Sequence, residues 1–227
     1  MKKALSNNRI LLVISTTLLF LSACSTPKNI SEVAPKPSEY KLGSDYQLIK
    51  PPIPTQTNEN QIEIVEMFFY ACPHCNALEP KIQSWLKDKK DIVDFKRIPA
   101  ILGPTWADQA KAYYVAEELK ILDSIHPALL KAIHNDKRKF YNEYSVMEFF
   151  VEQGVDRQTF IEAYNSPQVA EKVNYARVMT VKYALRGVPA IIINGKYKTA
   201  QFYTGSQEKM LDVVDFLITK EKTLLKN

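Results

Sequence analysis

Cys72-Pro73-His74-Cys75 follows two residues behind Gln61–Phe69, a nine-residue run rich in β-branched and aromatic side chains that contains no glycine or proline. Such a run predicts a buried strand. Pro73 suits the first turn of a helix, where the N–H it lacks would have had no intrahelical partner. A helix is therefore expected from the dithiol to about Lys87, kinked at Pro80, whose ring removes a backbone donor and crowds the preceding turn. Ile92–Ile98 reads as a second strand, and a strand–helix–strand unit implies a parallel pair. The two thiols thus stand where a buried strand hands over to a helix N-terminus.

From about Pro104 to Leu185 the periodicity is helical. Ala112, Val115, Ala116, Leu119 and Leu122 recur at helical spacing. Ser145-Val146-Met147-Glu148 has the form of a capping box, and Asp156 suits another N-cap. Ser166-Pro167 opens a long segment with Val169, Val173, Ala176, Thr180 and Ala184 on one face, which Gly187 is expected to stop. Tyr113, Tyr114, Tyr141 and Tyr144 are expected to pack within this block, and Lys137-Arg138-Lys139 to form a solvated turn. The role of Trp106 stays open between core and active-site face. Ala190–Ile193 reads as a third strand, Asn194-Gly195 as a type I′ turn and Lys196–Lys198 as the returning strand. Ser206 then caps an amphipathic helix through Leu211, Val214 and Leu217. The layout is β-α-β, a block of helices, then β-β-α, with no internal repeat.

Two thiols three positions apart admit few uses. A structural zinc needs four ligands, and His126 and His134, with seven residues between them, do not match a finger. Haem attachment wants a histidine directly after the second cysteine, where Asn76 stands. A staple closing so small a loop constrains the unfolded chain very little. The helix N-terminus, by contrast, offers unpaired N–H groups and a dipole that favour an anion. His74 adds a donor or positive charge, and both effects lower the pKa of Cys72. Each unit of depression below ambient pH favours the dithiol by about 1.4 kcal/mol. A stabilised dithiol makes its disulfide an oxidant. Cys75, one turn further in, would resolve a mixed disulfide.

Cys72-Pro73-His74-Cys75, Gly187-Val188-Pro189 before a strand, and a helical block between two βα halves resemble the thioredoxin fold, and specifically the DsbA family of periplasmic thiol oxidases. The likeness spans roughly residues 45–220. It implies an α/β thioredoxin-like domain of residues 45–100 and 177–227, with an inserted all-helical domain of residues 101–176. It implies that Cys72 is the exposed nucleophile and Cys75 its buried partner, with Pro73 and His74 between them. Pro189 should follow a cis peptide bond, leaving the Val188 backbone free to pair with an extended substrate. Glu66 shares a strand face with Ile64 and Phe68, which puts a carboxylate inside. Lys96 on the neighbouring strand is its expected partner, and burial would raise the carboxyl pKa enough for a proton relay with Cys75. A surface salt bridge is the alternative.

The activity implied is donation of the Cys72–Cys75 disulfide to unfolded exported proteins with free thiols. A substrate thiolate attacks Cys72, the departing sulfur being expected to be the low-pKa one, and a second substrate thiol resolves the complex. A membrane quinone reductase of the DsbB kind would reoxidise the pair, with no bound cofactor or metal. Two other readings stand beside this one: an isomerase or reductase on the same fold, and a non-catalytic peptide-binding envelope lipoprotein. No separate dimerisation domain is visible, which fits a monomeric oxidase.

The N-terminal end carries a different signal. Met1-Lys2-Lys3 and Arg9 precede a largely apolar run, Ile10–Leu21, of 12 residues. That is short of the roughly 20 needed to span a bilayer and fits an export signal. Leu21-Ser22-Ala23-Cys24 resembles the lipobox of bacterial lipoproteins, giving residues 1–23 as signal peptide and Cys24 as the acylated residue. The third cysteine is thereby accounted for. Loose, Pro- and Ser-rich chain then runs to about Pro54, with residues 24–44 as a flexible tether. The formal charge of +5 falls to +2 once the signal leaves, 27 basic against 25 acidic residues, and no nucleic-acid partner is indicated. Ser25 rather than Asp after Cys24 points, by analogy with enteric lipoproteins, to the outer membrane. The expected location is the periplasmic side of a bacterial envelope.

Overall fold

In the computed structural model, which describes residues 40–58 and 60–225, the breaker-free run becomes a strand at Ile62–Phe68 whose every residue is buried. Burial on both faces is what a central strand requires. In chain order the strands are β1 (Gln47–Leu48), β2 (Ile62–Phe68), β3 (Val93–Pro99), β4 (Ala190–Ile193) and β5 (Tyr197–Ala200). They form one sheet of order β1-β5-β4-β2-β3. Only β2 and β3 run parallel; β2 with β4, β4 with β5 and β5 with β1 are antiparallel. The expected signal peptide, Cys24 and most of the expected tether lie outside the described residues.

The helices are α1 (Pro73–Leu86), α2 (Ala107–Glu118), α3 (Leu122–His134), α4 (Glu143–Glu152), α5 (Arg157–Tyr164), α6 (Pro167–Lys182), the short α7 (Gln201–Thr204) and α8 (Gln207–Leu225). Strand alternation divides the core in two. Ile62, Ile64, Ile191 and Ile193 pack with Leu78 and Ile82 of α1 and Met210, Val213, Val214 and Leu217 of α8. Val65, Met67, Ala190 and Ile192 turn the other way, toward Ala112, Phe149, Phe150, Phe160, Val169 and Ala176 of the helical block. The sheet is thus covered on both faces, with the block packed on one of them.

Several local expectations need correcting. The α4 cap is Asn142, whose side chain accepts from the Ser145 N–H at 2.9 Å, so Ser145 lies inside the helix rather than before it. Asp156 and Ser166 do cap α5 and α6. The helix α6 ends at Lys182, before Gly187, while α1 runs through Pro80 to Leu86, close to its expected end. Tyr113 and Tyr114 are buried, but Tyr141 and Tyr144 face solvent.

The stretch after residue 44 is not loose either. Tyr46 and Ile49 are buried, Gln47–Leu48 pairs with β5, and Ile49 and Ile53 donate backbone bonds to Lys196 and Gly195. A two-residue strand among prolines carries no periodicity, which is why this strap is invisible to pattern reading. Asn194 and Gly195 both take positive φ, as a type I′ turn demands.

Candidate active site

Cys72 is the N-cap of α1: its carbonyl accepts the first helical bond from the Asn76 N–H at 3.1 Å. Its sulfur is half-buried, while Cys75 is buried beneath it, and both are free thiols. The Cys72 thiol donates to the Val188 carbonyl at 3.5 Å, across 116 residues of chain. The Val188–Pro189 bond is cis, as expected. So the helix start, the dithiol and the loop before β4 converge at one end of the sheet.

The electrostatics separate the two sulfurs. A hydrogen bond from Cys75 is the largest influence on Cys72; with the backbone N–H groups of Cys75 and His74 and the nearby His74 charge, it outweighs partial burial and lowers the pKa to about 6. Cys75 moves the opposite way. Burial raises it well above its ordinary value, reinforced by Cys72 and by the carboxyl of Glu66. One sulfur is poised to be an anion near neutral pH and the other to keep its proton.

Glu66 is buried, as strand alternation suggested, but its partner is Arg97 and not Lys96. In the parallel register Glu66 stands opposite Arg97, whereas Lys96 stands opposite Val65 and projects from the other face. There Lys96 pairs with Glu63 at 2.6 Å and Asp94 at 3.1 Å. The Arg97 Nε donates to Glu66 at 3.0 Å, and its Nη2 forks onto both oxygens of Glu79 at 2.9 and 3.0 Å. Burial dominates at Glu66 and lifts its carboxyl to about 7, partly opposed by Arg97. Burial also pushes Glu79 upward, but the His126 hydrogen bond, Arg97 and Gln83 together hold it at about 2. Two carboxyls sharing one guanidinium are thus split by their surroundings.

Beyond Glu79 the polar chain continues. His126 lies 3.4 Å from Glu79 and 2.9 Å from the Tyr70 hydroxyl, and His134 meets the Tyr70 carbonyl at 2.7 Å. Gln109 of α2 accepts from the Ala71 N–H at 3.0 Å, and Gln207 of α8 donates to the His74 carbonyl at 2.7 Å. The loop around the dithiol is therefore held by α2, α3 and α8. Pattern reading missed Arg97, Glu79, Gln109 and Gln207. Glu79, one turn beyond Cys75, was the one legible signal.

Aromatic rings flank both segments that meet at the dithiol. Phe69 stacks on Trp106 with ring centres 3.8 Å apart, and Phe202, 56% exposed, stands beside Gly187. A thiol of lowered pKa at a helix N-terminus, a buried second thiol, and a cis-proline loop against them on this sheet define a thioredoxin-fold thiol:disulfide oxidoreductase. Residues 63–213 match the DSBA-like thioredoxin domain family. The chain is 34% identical over 206 residues to the thiol:disulfide interchange protein DsbA of Burkholderia cepacia, covering 91% of this chain and 95% of that one. The crystal structure of Pseudomonas aeruginosa DsbA is similar with a TM-score of 0.77 at 32% identity, covering 83% of this chain and 97% of that one. An oxidoreductase DsbA from Xylella fastidiosa gives 0.74 at 30% identity, covering 81% and 98%. The chain belongs to the DsbA-like thioredoxin family.

Proposed function

We propose that this chain is the disulfide donor for proteins exported to a bacterial envelope, working through Cys72 and Cys75. The observation that carries this reading is the split between a Cys72 held at about 6 and a buried Cys75 raised well above its ordinary value. A stabilised Cys72 thiolate favours the reduced pair and makes the disulfide a willing oxidant.

In the first step a substrate thiolate attacks the accessible Cys72 sulfur, the Cys72–Cys75 bond breaks, and Cys75 departs with the electron pair. The low-pKa sulfur is therefore not the one that leaves first, as the chain alone suggested; accessibility decides which sulfur is attacked. Protonated Glu66 supplies a proton to Cys75, for which a carboxyl titrating at about 7 is suited. In the second step another substrate thiolate attacks the substrate sulfur of the mixed disulfide, and Cys72 leaves as its stable thiolate. Two substrate thiols become a disulfide and the protein becomes a dithiol. Val188 pairs with the extended substrate backbone beside Cys72, with Pro189 and the aromatic rings around it.

A membrane quinone reductase of the DsbB kind restores the disulfide, and the protein works as a monomer without a bound cofactor. Lipid on Cys24 tethers it through residues 24–44 to the periplasmic side of the envelope, at the outer membrane. Alkylation with a mass tag in intact cells tests the direction of reaction: a mainly oxidised Cys72/Cys75 pool is expected, and a mainly reduced one would move the assignment to a reductase or isomerase. Cys72→Ser should lose all disulfide transfer, whereas a non-catalytic peptide binder would keep its phenotype. Cys24→Ser should release the protein from membranes.

A further inference from the structure

The end of α6 leads directly to the loop that touches Cys72. Ala184 stands at φ +47, a conformation more often left to glycine. Its N–H reaches the Val181 carbonyl at 2.8 Å, while the Leu185 N–H reaches Thr180 at 3.2 Å. These bonds close the helix but leave the carbonyls of Tyr183 and Ala184 to find other donors. One side chain serves both. The Lys198 Nζ on β5 lies 2.9 Å from the Tyr183 oxygen and 2.7 Å from that of Ala184.

Lys198 is 7% exposed and makes no ion pair among the described residues. A buried ammonium without a carboxylate is costly, so its place calls for a reason. The negative end of the α6 dipole supplies the electrostatic one. The functional one lies four residues on, where the Val188 carbonyl accepts the Cys72 thiol and the chain enters β4. The segment Leu185–Pro189 is thus pinned at its start by Lys198 and at its end by the β4 ladder.

We propose that Lys198 is a positioning residue for exchange with peptides: by holding the Tyr183 and Ala184 carbonyls it sets where Val188 meets an extended substrate. This rests on Val188 being the substrate-pairing edge. The test uses the preoxidised full chain in single-turnover reaction with a reduced cysteine peptide and, separately, with dithiothreitol, which is too small for strand pairing. Lys198→Met fills the space but donates nothing. Its rate with the peptide should fall about tenfold, the equivalent of about one hydrogen bond, while the dithiothreitol rate stays within about twofold. Lys198→Arg, which keeps two donors, should restore the peptide rate. If Lys198→Met does not fold, Lys198→Leu, which likewise donates nothing, carries the same comparison.

An equal loss toward both reagents, or no loss toward the peptide, overturns the proposal. A peptide N-methylated beside its cysteine separates the two layers of inference. If the parent protein treats methylated and plain peptides alike, Val188 is not a pairing edge. If the parent discriminates and Lys198→Met discriminates equally well, only the role of Lys198 falls.

Discussion

At the scale of single residues, function turns on three acids in one small volume. Cys72 takes a pKa of about 6 against an ordinary 9.0 because Cys75, two backbone N–H groups and His74 all favour its anion. Ultraviolet thiolate absorbance of the reduced protein should therefore rise through a midpoint near pH 6; a midpoint near that of free cysteine would contradict the mechanism. The folded value lies below the unfolded one. The thiolate's contribution to the stability of the reduced form is thus complete above about pH 9 and disappears as pH falls through 6. Glu66 behaves oppositely. Its folded value of about 7 lies above the ordinary 4.5, so the stability it contributes is complete below pH 4.5 and is lost as pH rises through 7. In oxidised protein, where Cys72 does not titrate, Glu66→Gln should remove roughly 3 kcal/mol of pH dependence between these limits, read from denaturant midpoints. The same substitution should erase the inflection near pH 7 in the rate of mixed-disulfide formation. A parent protein without that inflection would exclude Glu66 as the proton donor.

At the scale of elements, the β4–β5 turn and the strap before β2 depend on each other. Gly195 has φ +61, and a Cβ on it would lie 1.9 Å from the Ile53 carbonyl oxygen, while the Ile53 N–H donates to Gly195 at 2.9 Å. Gly195→Ala should therefore cost about 1–2 kcal/mol for the left-handed backbone alone, and more because the strap must move. Thermal unfolding reads this loss, and a midpoint within a degree or so of the parent's would mean that the strap does not bear on the turn. Legibility at this scale followed local chemistry. Asp156, Ser166 and the Asn194-Gly195 turn act on backbone groups within a few residues and could be read directly. At the start of α4, Asn142 and Ser145 both present suitable side chains three residues apart, and only the backbone at Asn142, φ −158, distinguishes the cap.

For the molecule as a whole, Arg97 joins the two sides of the site. Its guanidinium, carried on β3, bonds to Glu66 on β2 and Glu79 on α1, and through Glu79 connects to His126 on α3 and Tyr70 beside the dithiol. Arg97→Met leaves the buried carboxyl of Glu66 and the half-buried one of Glu79 without their shared cation, and should destabilise the fold by about 3–5 kcal/mol. Glu79, losing a cation that helps hold it near 2, should titrate higher. Arg97→Lys should recover part of the stability but not the fork onto Glu79, because an ammonium is a single point of charge. A loss under about 1 kcal/mol for Arg97→Met in chemical denaturation would show that the bridge contributes little to the fold.

The chain alone determined the redox pair, the handover from strand to helix that activates it and the order of the longer α and β segments, and it pointed Glu66 inward. Each of these follows from spacing along a single strand or helix, where side-chain direction repeats with a known period. Tertiary structure alone decided which basic residue meets Glu66. Lys96 and Arg97 are adjacent in sequence, and a one-residue difference in register sends a side chain to the opposite face of the sheet. It also decided the meeting of Val188 with Cys72 across 116 residues, and the grip of Lys198 on the end of α6. Those contacts join segments far apart in sequence, and no local periodicity encodes how distant segments pack.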